Sequence, residues 1–453
     1  MKKFIFFGII CVFFLATYTK NITIVGTGYA GLVSAACLAH FNHQVTCVDI
    51  LKLKINQLKN NIIPIFEPGI EELVKKHNGK NLYFTTNFSQ AVASADVVIV
   101  TVGTPTQANG ETNLTNFKSA IKEIAQYLTG YTVICTKSTV PIGTSLLVNE
   151  ILNTHAPAHA HYDIVSNPEF MREGTALDDF LCKNPIVIGA HSEHAFTTME
   201  GLYKPLIEKS LPYIKTTPVT AETIKYAWNS FLTVKVAYIN ELAQLCHETG
   251  ANINKVIQSV GYGEMLRPFA TLKPGPGIGG SCLPKDSRAF IRTAKNFNVN
   301  LSLIDAAMQS NTLHQQKIIH YIYQLLEDVV QNKKIAILGL AFKAGTDDIR
   351  DSVAIPIIHQ LLHDGAKIKA YDPQAMQSMH KIFPTIEYTS SSYEAVQQAD
   401  LVIVLTEWDE FIQLNLAKLK NNMHQAIALD TRNIWDPKKL KNLQFSFINL
   451  GRN

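Results

Sequence analysis

Residues 22–31 read Ile22-Thr23-Ile24-Val25-Gly26-Thr27-Gly28-Tyr29-Ala30-Gly31, and the order of residue types in them decides the fold. Four β-branched residues suit a short strand. The glycines then suit a tight strand-to-helix turn. Gly26 permits the turn, Gly28 lets the backbone approach a pyrophosphate, and Gly31 lets the helix pack close to the strand. The first turn of that helix offers unpaired N–H groups and the positive end of its dipole to phosphate oxygens. A second strand, Val45–Asp49, ends on a carboxylate 18 positions past Gly31. Asp49 can accept hydrogen bonds from a ribose hydroxyl and would repel a 2′-phosphate, which favours NAD over NADP. Lys54 can reach the same ribose, with a plain surface lysine as the alternative. The competing reading of the whole motif is a glycine turn in an α/β domain that binds no nucleotide.

The alternation continues beyond this unit. Apolar stretches at Val97–Val102, Thr132–Thr136 and Ile186–Gly189 are interleaved with helical patterns at Leu32–His40, Phe117–Leu128 and Ser145–Thr154. Continuous apolar strands between helices predict a parallel sheet covered on both faces. From Val219 to Thr249 there is neither Gly nor Pro, while Pro218 precedes the run and Gly250 follows it. That predicts one helix about 46 Å long at 1.5 Å per residue. Helical patterns follow at Lys255–Val260, Ser287–Asn296 and Leu303–Val330. From Lys333 the alternation resumes, with strands at Ile335–Leu340, Lys367–Asp372, Leu401–Thr406 and Ala426–Asp430 and helices at Val353–His363 and Ala375–Ile382. The expected class is α/β, with two doubly wound Rossmann-like domains joined by an all-α central domain built on the long helix. Its expected divisions are 21–215 for NAD, 216–330 for the central helices, and 331–453 for the second α/β domain. The long helix is the natural surface for a homodimer.

Of the 453 residues 47% are hydrophobic and 17% charged, which excludes a disordered chain. Lys and Arg number 41 against 37 Asp and Glu, without blocks, so charge gives no support for nucleic-acid binding. Seven cysteines with no CxxC pair argue against a disulfide framework or a Cys-rich zinc site, so no metal is expected and a reducing, cytoplasmic setting fits. Residues 1–20 stand apart. Lys2 and Lys3 precede the apolar run Phe4–Ala16, which is short for the ~20 residues of a spanning helix. The run resembles a signal-peptide core without a clean cleavage site. An appended or misassigned start, a membrane anchor and secretion are the readings of it, and membrane contact is expected only through residues 4–16.

The densest chemical signal is Pro274-Gly275-Pro276-Gly277-Ile278-Gly279-Gly280-Ser281-Cys282-Leu283-Pro284-Lys285-Asp286. Pro284 suits the first turn of a helix. A thiol just ahead of it feels the positive dipole end, which favours the thiolate. Such a cysteine can attack an aldehyde to give a thiohemiacetal, from which hydride loss gives a thioester. The other six cysteines lie in apolar runs and read as core residues. An inert Cys282 and a bare helix-start Asp286 are the plain alternatives.

These motifs together resemble the UDP-glucose/GDP-mannose dehydrogenase family, the nucleotide-sugar 6-dehydrogenases, from Asn21 to about Arg432. The resemblance rests on Gly26–Gly31, Val102-Gly103-Thr104-Pro105, Lys137-Ser138-Thr139-Val140-Pro141, Asn167-Pro168-Glu169-Phe170-Met171-Arg172-Glu173-Gly174, Lys225–Asn229, the cysteine loop, and Phe342-Lys343 through Arg350. It implies a four-electron oxidation of a sugar C6 alcohol to the carboxylate with two NAD and with Cys282 as nucleophile. Lys225 and Asn229, four apart on one helix face, would hold the developing oxyanion and a substrate oxygen. A salt bridge from Lys225 to Glu222 is the bland alternative. Glu169 becomes the candidate base for thioester hydrolysis, with Thr139 positioning the water and Asp286 supporting lysine and water. Glu173 would lie at the boundary of substrate and cofactor. Thr104, Ser138 and Thr139 match cofactor-side loops, and Arg350 matches a cofactor contact across the domain cleft. The resemblance assigns substrate contacts to Lys273, Gly279, Phe342, Lys343 and Arg432, the last near a subunit boundary; solvated surface charge is the alternative for the basic ones. The stretch Glu264-Met265-Leu266-Arg267-Pro268-Phe269-Ala270-Thr271 departs from the family's Arg-Ile-Gly pattern, and Thr271 stands where an aromatic is common.

Ser281 ahead of Cys282 resembles the UDP-glucose and GDP-mannose branches rather than the N-acetyl-mannosamine branch, where a His often precedes the cysteine. Pro-Gly-Pro-Gly leans toward UDP-glucose, which is the expected substrate, with GDP-mannose as the enzymatic alternative. A catalytically silent nucleotide-sugar sensor is the alternative from another class, and the set Cys282, Lys225, Glu169 and Asn229 speaks against it.

Overall fold

The computed structural model describes residues 19–107, 109–262 and 272–452; the Phe4–Ala16 run and the Glu264–Thr271 stretch lie outside the described residues. The first sheet contains β1 (Asn21–Val25), β2 (Gln44–Val48), β3 (Leu82–Thr85), β4 (Val97–Val100), β5 (Tyr131–Thr136), β6 (His161–Ser166), β7 (Ile186–Gly189) and β8 (Tyr213–Thr216), in the order β3-β2-β1-β4-β5-β6-β7-β8. Every residue of β4 is buried, as an apolar run between two helical layers requires. The second sheet contains β9 (Lys334–Leu338), β10 (Lys367–Tyr371), β11 (Glu387–Tyr388), β12 (Leu401–Val404), β13 (Ile427–Asp430) and β14 (Ser446–Asn449), in the order β11-β10-β9-β12-β13-β14 and parallel throughout. In both sheets the order reverses at the first strand, β1 or β9. Ligands of open α/β sheets bind at that reversal, outside the carboxyl ends of the strands.

The first sheet is not parallel throughout, in contrast to the expectation. β7 meets β6 antiparallel through the single pair Ser166 and Gly189, while β7 and β8 are parallel to each other. The chain from β6 to β7 carries no long crossover helix. It returns through the Asn167–Gly174 loop and short helical turns at Ala176–Asp178 and Asp179–Lys183. Cys182 sits on the last of these turns and is exposed, so it is not the core residue expected; Cys37, Cys47, Cys135 and Cys246 are buried.

The long helix spans Pro218–Thr249, 32 residues, or about 48 Å. Thr217 caps its start by accepting from Thr220 N, Pro218 occupies its first turn, and Gly250 at φ 75° ends it in the left-handed region. The helices Leu283–Asn296 and Ser302–Leu325 pack against it. The latter ends five residues before the expected Val330, where Glu327 and Asp328 turn left-handed. Trp228, Phe231, Tyr238 and Leu245 are exposed along the long helix, at steps of three and seven that place them on one side. Among the described residues no helix is long and apolar enough to cross a membrane.

Candidate active site

The glycine turn has the geometry a dinucleotide needs. Gly26 is left-handed at φ 97°, and a Cβ on Gly31 would fall 2.0 Å from Gly26 O, so only glycine admits the helix so close to the strand. A Cβ on Gly28 would meet nothing within 4 Å, which leaves its face open to a ligand. Asp49 accepts from Thr27 N (3.0 Å), Thr27 Oγ1 (2.7 Å) and Leu51 N (3.1 Å), and Lys54 Nζ lies 3.6 Å away. Burial raises its carboxyl, but these donors and Lys54 together hold it below the ordinary range. A carboxylate held in that form at the end of β2 can accept from ribose hydroxyls, and the turn fits NAD. The second α/β domain repeats the frame with Gly339 at φ 101° and with Asp372 at the end of β10. Asp372, however, is fully buried and accepts from Leu340 N, Ala341 N, Gln374 N, Ala375 N and the Trp408 indole. Its oxygens are committed to the protein, so this second frame lacks a ribose acceptor.

Thr104 Oγ1 donates to Thr139 O (2.7 Å) and Ser138 Oγ to Val102 O (2.7 Å). Both hydroxyls tie the loops after β4 and β5 together and thereby fix the backbone at Thr139.

Cys282 stands at the cap of the Leu283–Asn296 helix, with Pro284 in its first turn. The loop ahead is held by Asn240 Oδ1 on Gly275 N (2.9 Å) and Asn311 Oδ1 on Ile278 N (2.7 Å). Gly280, left-handed at φ 86°, donates its N–H to Arg350 O (2.9 Å). A Cβ on Gly279 would lie 2.6 Å from Asp351 O, and one on Gly280 2.7 Å from the Phe342 ring. The cysteine loop is thus pressed against the second α/β domain. Where the three parts meet lies a cavity of about 210 Å³ lined by Glu173, Lys225, Asn229, Cys282, Phe342 and Lys343, among others.

Lys225 is buried, and its Nζ donates to Glu169 O (2.6 Å) and Glu169 Oε1 (3.0 Å). Met171 N donates to the other carboxylate oxygen (2.6 Å). Glu222 is not the partner of Lys225: it accepts from Gly143 N (2.6 Å), Ser145 N (2.9 Å) and Ser166 Oγ (3.2 Å). Burial works against charge on Lys225, but Glu169, Cys282 and Asp286 outweigh it and hold the ammonium above its ordinary range. Asn229 Nδ2 donates to Asp286 Oδ2 (2.6 Å), and Lys285 Nζ lies 2.5 Å from Asp286 Oδ1. Asp286 therefore orients the amide that faces the cavity.

The thiol differs from the expectation of a thiolate. Desolvation in the cleft, followed by the Glu169 charge, pushes Cys282 above its ordinary value, with Lys225 working the other way. The residue's surface is open to the cavity, yet protein walls surround the sulfur, so reach and desolvation coexist. Its sulfur lies 3.6 Å from Ser281 Oγ, within hydrogen-bond reach. A single dipole end does not offset burial and two carboxylates.

Glu173 joins the domains. It accepts from Ser281 Oγ (3.3 Å) and Thr346 Oγ1 (3.0 Å), and Arg350 Nη2 lies 3.5 Å away while also holding Asp348 at 2.6 Å. Burial and then the Asp348 charge push its carboxyl up to about 7. A carboxyl that ionises harder in the folded chain costs stability as pH climbs from its ordinary 4.5 to about 7. Glu173→Gln is expected to stabilise the protein by up to about 3 kcal/mol above pH 7 and to change little below pH 4.5. Thermal unfolding at both ends of that range checks it; an equal shift at both contradicts it.

Phe342 and Lys343 line the cavity. Arg432 donates to Leu405 O (2.8 Å) and Phe342 O (3.0 Å) and pairs with Glu407 at 3.0 Å, beside Gly275 of the cysteine loop. Lys273 is exposed at the start of that loop and does not line the cavity. Two residues gave no sequence signal. Glu67 is buried and accepts from Gly174 N (2.6 Å), Ala176 N (2.7 Å) and the Tyr29 hydroxyl, coupling the fingerprint to the Glu173 loop. Asp348 fixes the Arg350 guanidinium through Nε and Nη2.

Three family models match the chain: "UDP-glucose/GDP-mannose dehydrogenase family, NAD binding domain" over residues 20–207, the central domain over 219–313, and the UDP binding domain over 336–437. The chain is 40% identical over 437 residues to a UDP-glucose 6-dehydrogenase of Rhizobium meliloti, covering 95% of this chain and 99% of the relative. It is 39% identical over 438 residues to the UDP-glucose 6-dehydrogenase TuaD of Bacillus subtilis, covering 96% and 93%. A solved UDP-glucose dehydrogenase from Pyrobaculum islandicum superposes with a TM-score of 0.89 at 28% identity, covering 97% of this chain and 99% of that one. A UDP-D-ManNAc dehydrogenase from Pyrococcus horikoshii gives 0.81 at 26% identity, covering 95% and 99%.

Proposed function

Because the chain belongs to the UDP-glucose/GDP-mannose dehydrogenase family, we propose that it oxidises UDP-glucose at C6 to UDP-glucuronate, the activity of a UDP-glucose 6-dehydrogenase. The observation that carries this reading is the open Cys282 in one cavity with Lys225 and Asn229, with Glu169 bound to Lys225. The Gly26–Gly31 turn and Asp49 would hold NAD, which would supply the hydride acceptor for each of the two oxidations. Lys225 and Asn229 stabilise negative charge on the C6 oxygen as the alcohol passes its proton to water. Cys282 adds its sulfur to the aldehyde carbon as the thiol proton passes to the C6 oxygen, forming a thiohemiacetal; loss of the second hydride from carbon and of that hydroxyl proton to water leaves a thioester. Glu169 takes a proton from water, whose oxygen attacks the acyl carbon and expels the thiolate. Lys343, Phe342 and Arg432 hold the UDP moiety from the second α/β domain, and Arg350 and Glu173 close the cofactor side.

The assay is NADH absorbance. Two NADH per UDP-glucose consumed are expected; one NADH, none, or a higher kcat/KM with GDP-mannose sinks the substrate assignment. The exposed Trp228, Phe231, Tyr238 and Leu245 support a homodimer through the long helix. Sedimentation at twice the 50.3 kDa chain mass, reduced to the chain mass by Phe231→Glu, is expected; a monomeric parent protein contradicts it. A reaction that consumes NAD and a nucleotide sugar suits the cytoplasm.

A further inference from the structure

Lys137 is a buried ionisable group that the scheme above does not use. It follows β5 directly and is 4% exposed. Its Nζ donates to Asn167 Oδ1 at 3.2 Å, an oxygen that also takes the Tyr203 hydroxyl at 2.6 Å. The rings of Phe180 and Tyr203 flank it, with centroids 5.8 Å and 6.0 Å from Nζ. An ammonium in such surroundings with one hydrogen bond needs further acceptors to stay charged. A cavity of about 30 Å³ lies beside it, lined among others by Lys137, Asn167, Glu169, Asp179 and Tyr203. That volume suits one or two waters in polar surroundings. Asp179 is already committed to Arg172, at 2.9 Å from Nε and 2.7 Å from Nη2. Glu169, although bonded to Lys225 and Met171 N, is the carboxylate of this cavity whose charge acts on Lys137.

We propose that Lys137 is a positioning residue for Glu169: across water in this cavity its ammonium steadies the carboxylate that Lys225 holds directly and so sets it for thioester hydrolysis. The inference rests on the reading of Glu169 as base. The charged and titratable groups around that carboxylate are Lys225 of the long helix, Cys282 and Asp286 of the cysteine helix, Lys137 after β5, the Arg172–Asp179 pair of its own loop, and Tyr203 of the Glu193–Ile207 helix. Burial holds Lys137 below its usual range, and Cys135 and Glu169 oppose that.

The test is the pH dependence of thioester decay in single turnover, followed by quenched intact mass. Removing the cation that faces the carboxylate is expected to move the rising limb of that pH profile upward by about one pH unit in Lys137→Met and Lys137→Gln. Lys137→Arg keeps the limb in place, and the first hydride transfer changes less than about twofold in all three. Met or Gln variants whose limb coincides with that of the Arg variant or the parent overturn the proposal; a merely structural role gives that result. Should Lys137→Met not fold, the Gln and Arg variants carry the comparison. Glu169→Gln separates the two levels. If it leaves decay intact, the reading of Glu169 fails; if it stalls decay while the limb of Lys137→Gln is unmoved, only the role of Lys137 fails.

Discussion

Cys282→Ala is expected to lower steady-state NADH formation from UDP-glucose by at least ~10³-fold, the scale of losing a covalent nucleophile. The first hydride can still leave the C6 alcohol, because Lys225 and Asn229 remain around the oxygen. Without the sulfur the aldehyde has no thiohemiacetal from which a second hydride can depart. It returns to alcohol at the expense of the NADH just formed. The signature is therefore a loss of kcat with substrate binding intact, and less than one NADH per chain in a burst. Sustained turnover at more than a tenth of the parent rate would remove Cys282 from the mechanism.

Lys225→Met should cost nearly as much, about 10²–10³-fold in kcat. This ammonium is buried, bonded to both the carbonyl and the carboxylate of Glu169, and on the wall of the cavity with Cys282. It therefore serves the developing oxyanion and the hydrolytic base at once. Methionine keeps the length and the apolar stem while removing the charge. It also leaves Glu169 without its direct cation, at roughly 3 kcal/mol of stability. Kinetics with a parallel thermal melt separate the two effects. A kcat within tenfold of the parent at a temperature where the variant is folded contradicts the assignment.

Local rules were strongest where one residue type alone fits. The Gly26–Gly31 turn, the Pro218 start and the Gly250 stop of the long helix, and Pro284 beside Cys282 all announce themselves in sequence. What escaped depends on distant partners. Strands such as β8, Tyr-Ile-Lys-Thr at the sheet edge, have too few buried positions for a period to emerge. The antiparallel entry of β7 depends on a loop with no periodicity. Glu67 and Asp348 owe their place to residues more than a hundred positions away or to the domain cleft. The thiol's raised pKa arises first from desolvation in the cleft and then from the Glu169 charge brought in from another domain, neither of which a helix-dipole argument from neighbouring residues contains.

Glu169→Gln mixed with saturating UDP-glucose and NAD, quenched in acid and weighed intact, tests the central chemistry most directly. The expected result is two NADH per chain in the first turnover, then arrest, with the UDP-sugar acyl group on Cys282 by peptide mapping. Continued turnover, or arrest after two NADH with no mass added to Cys282, contradicts a thioester on that sulfur resolved by that carboxylate.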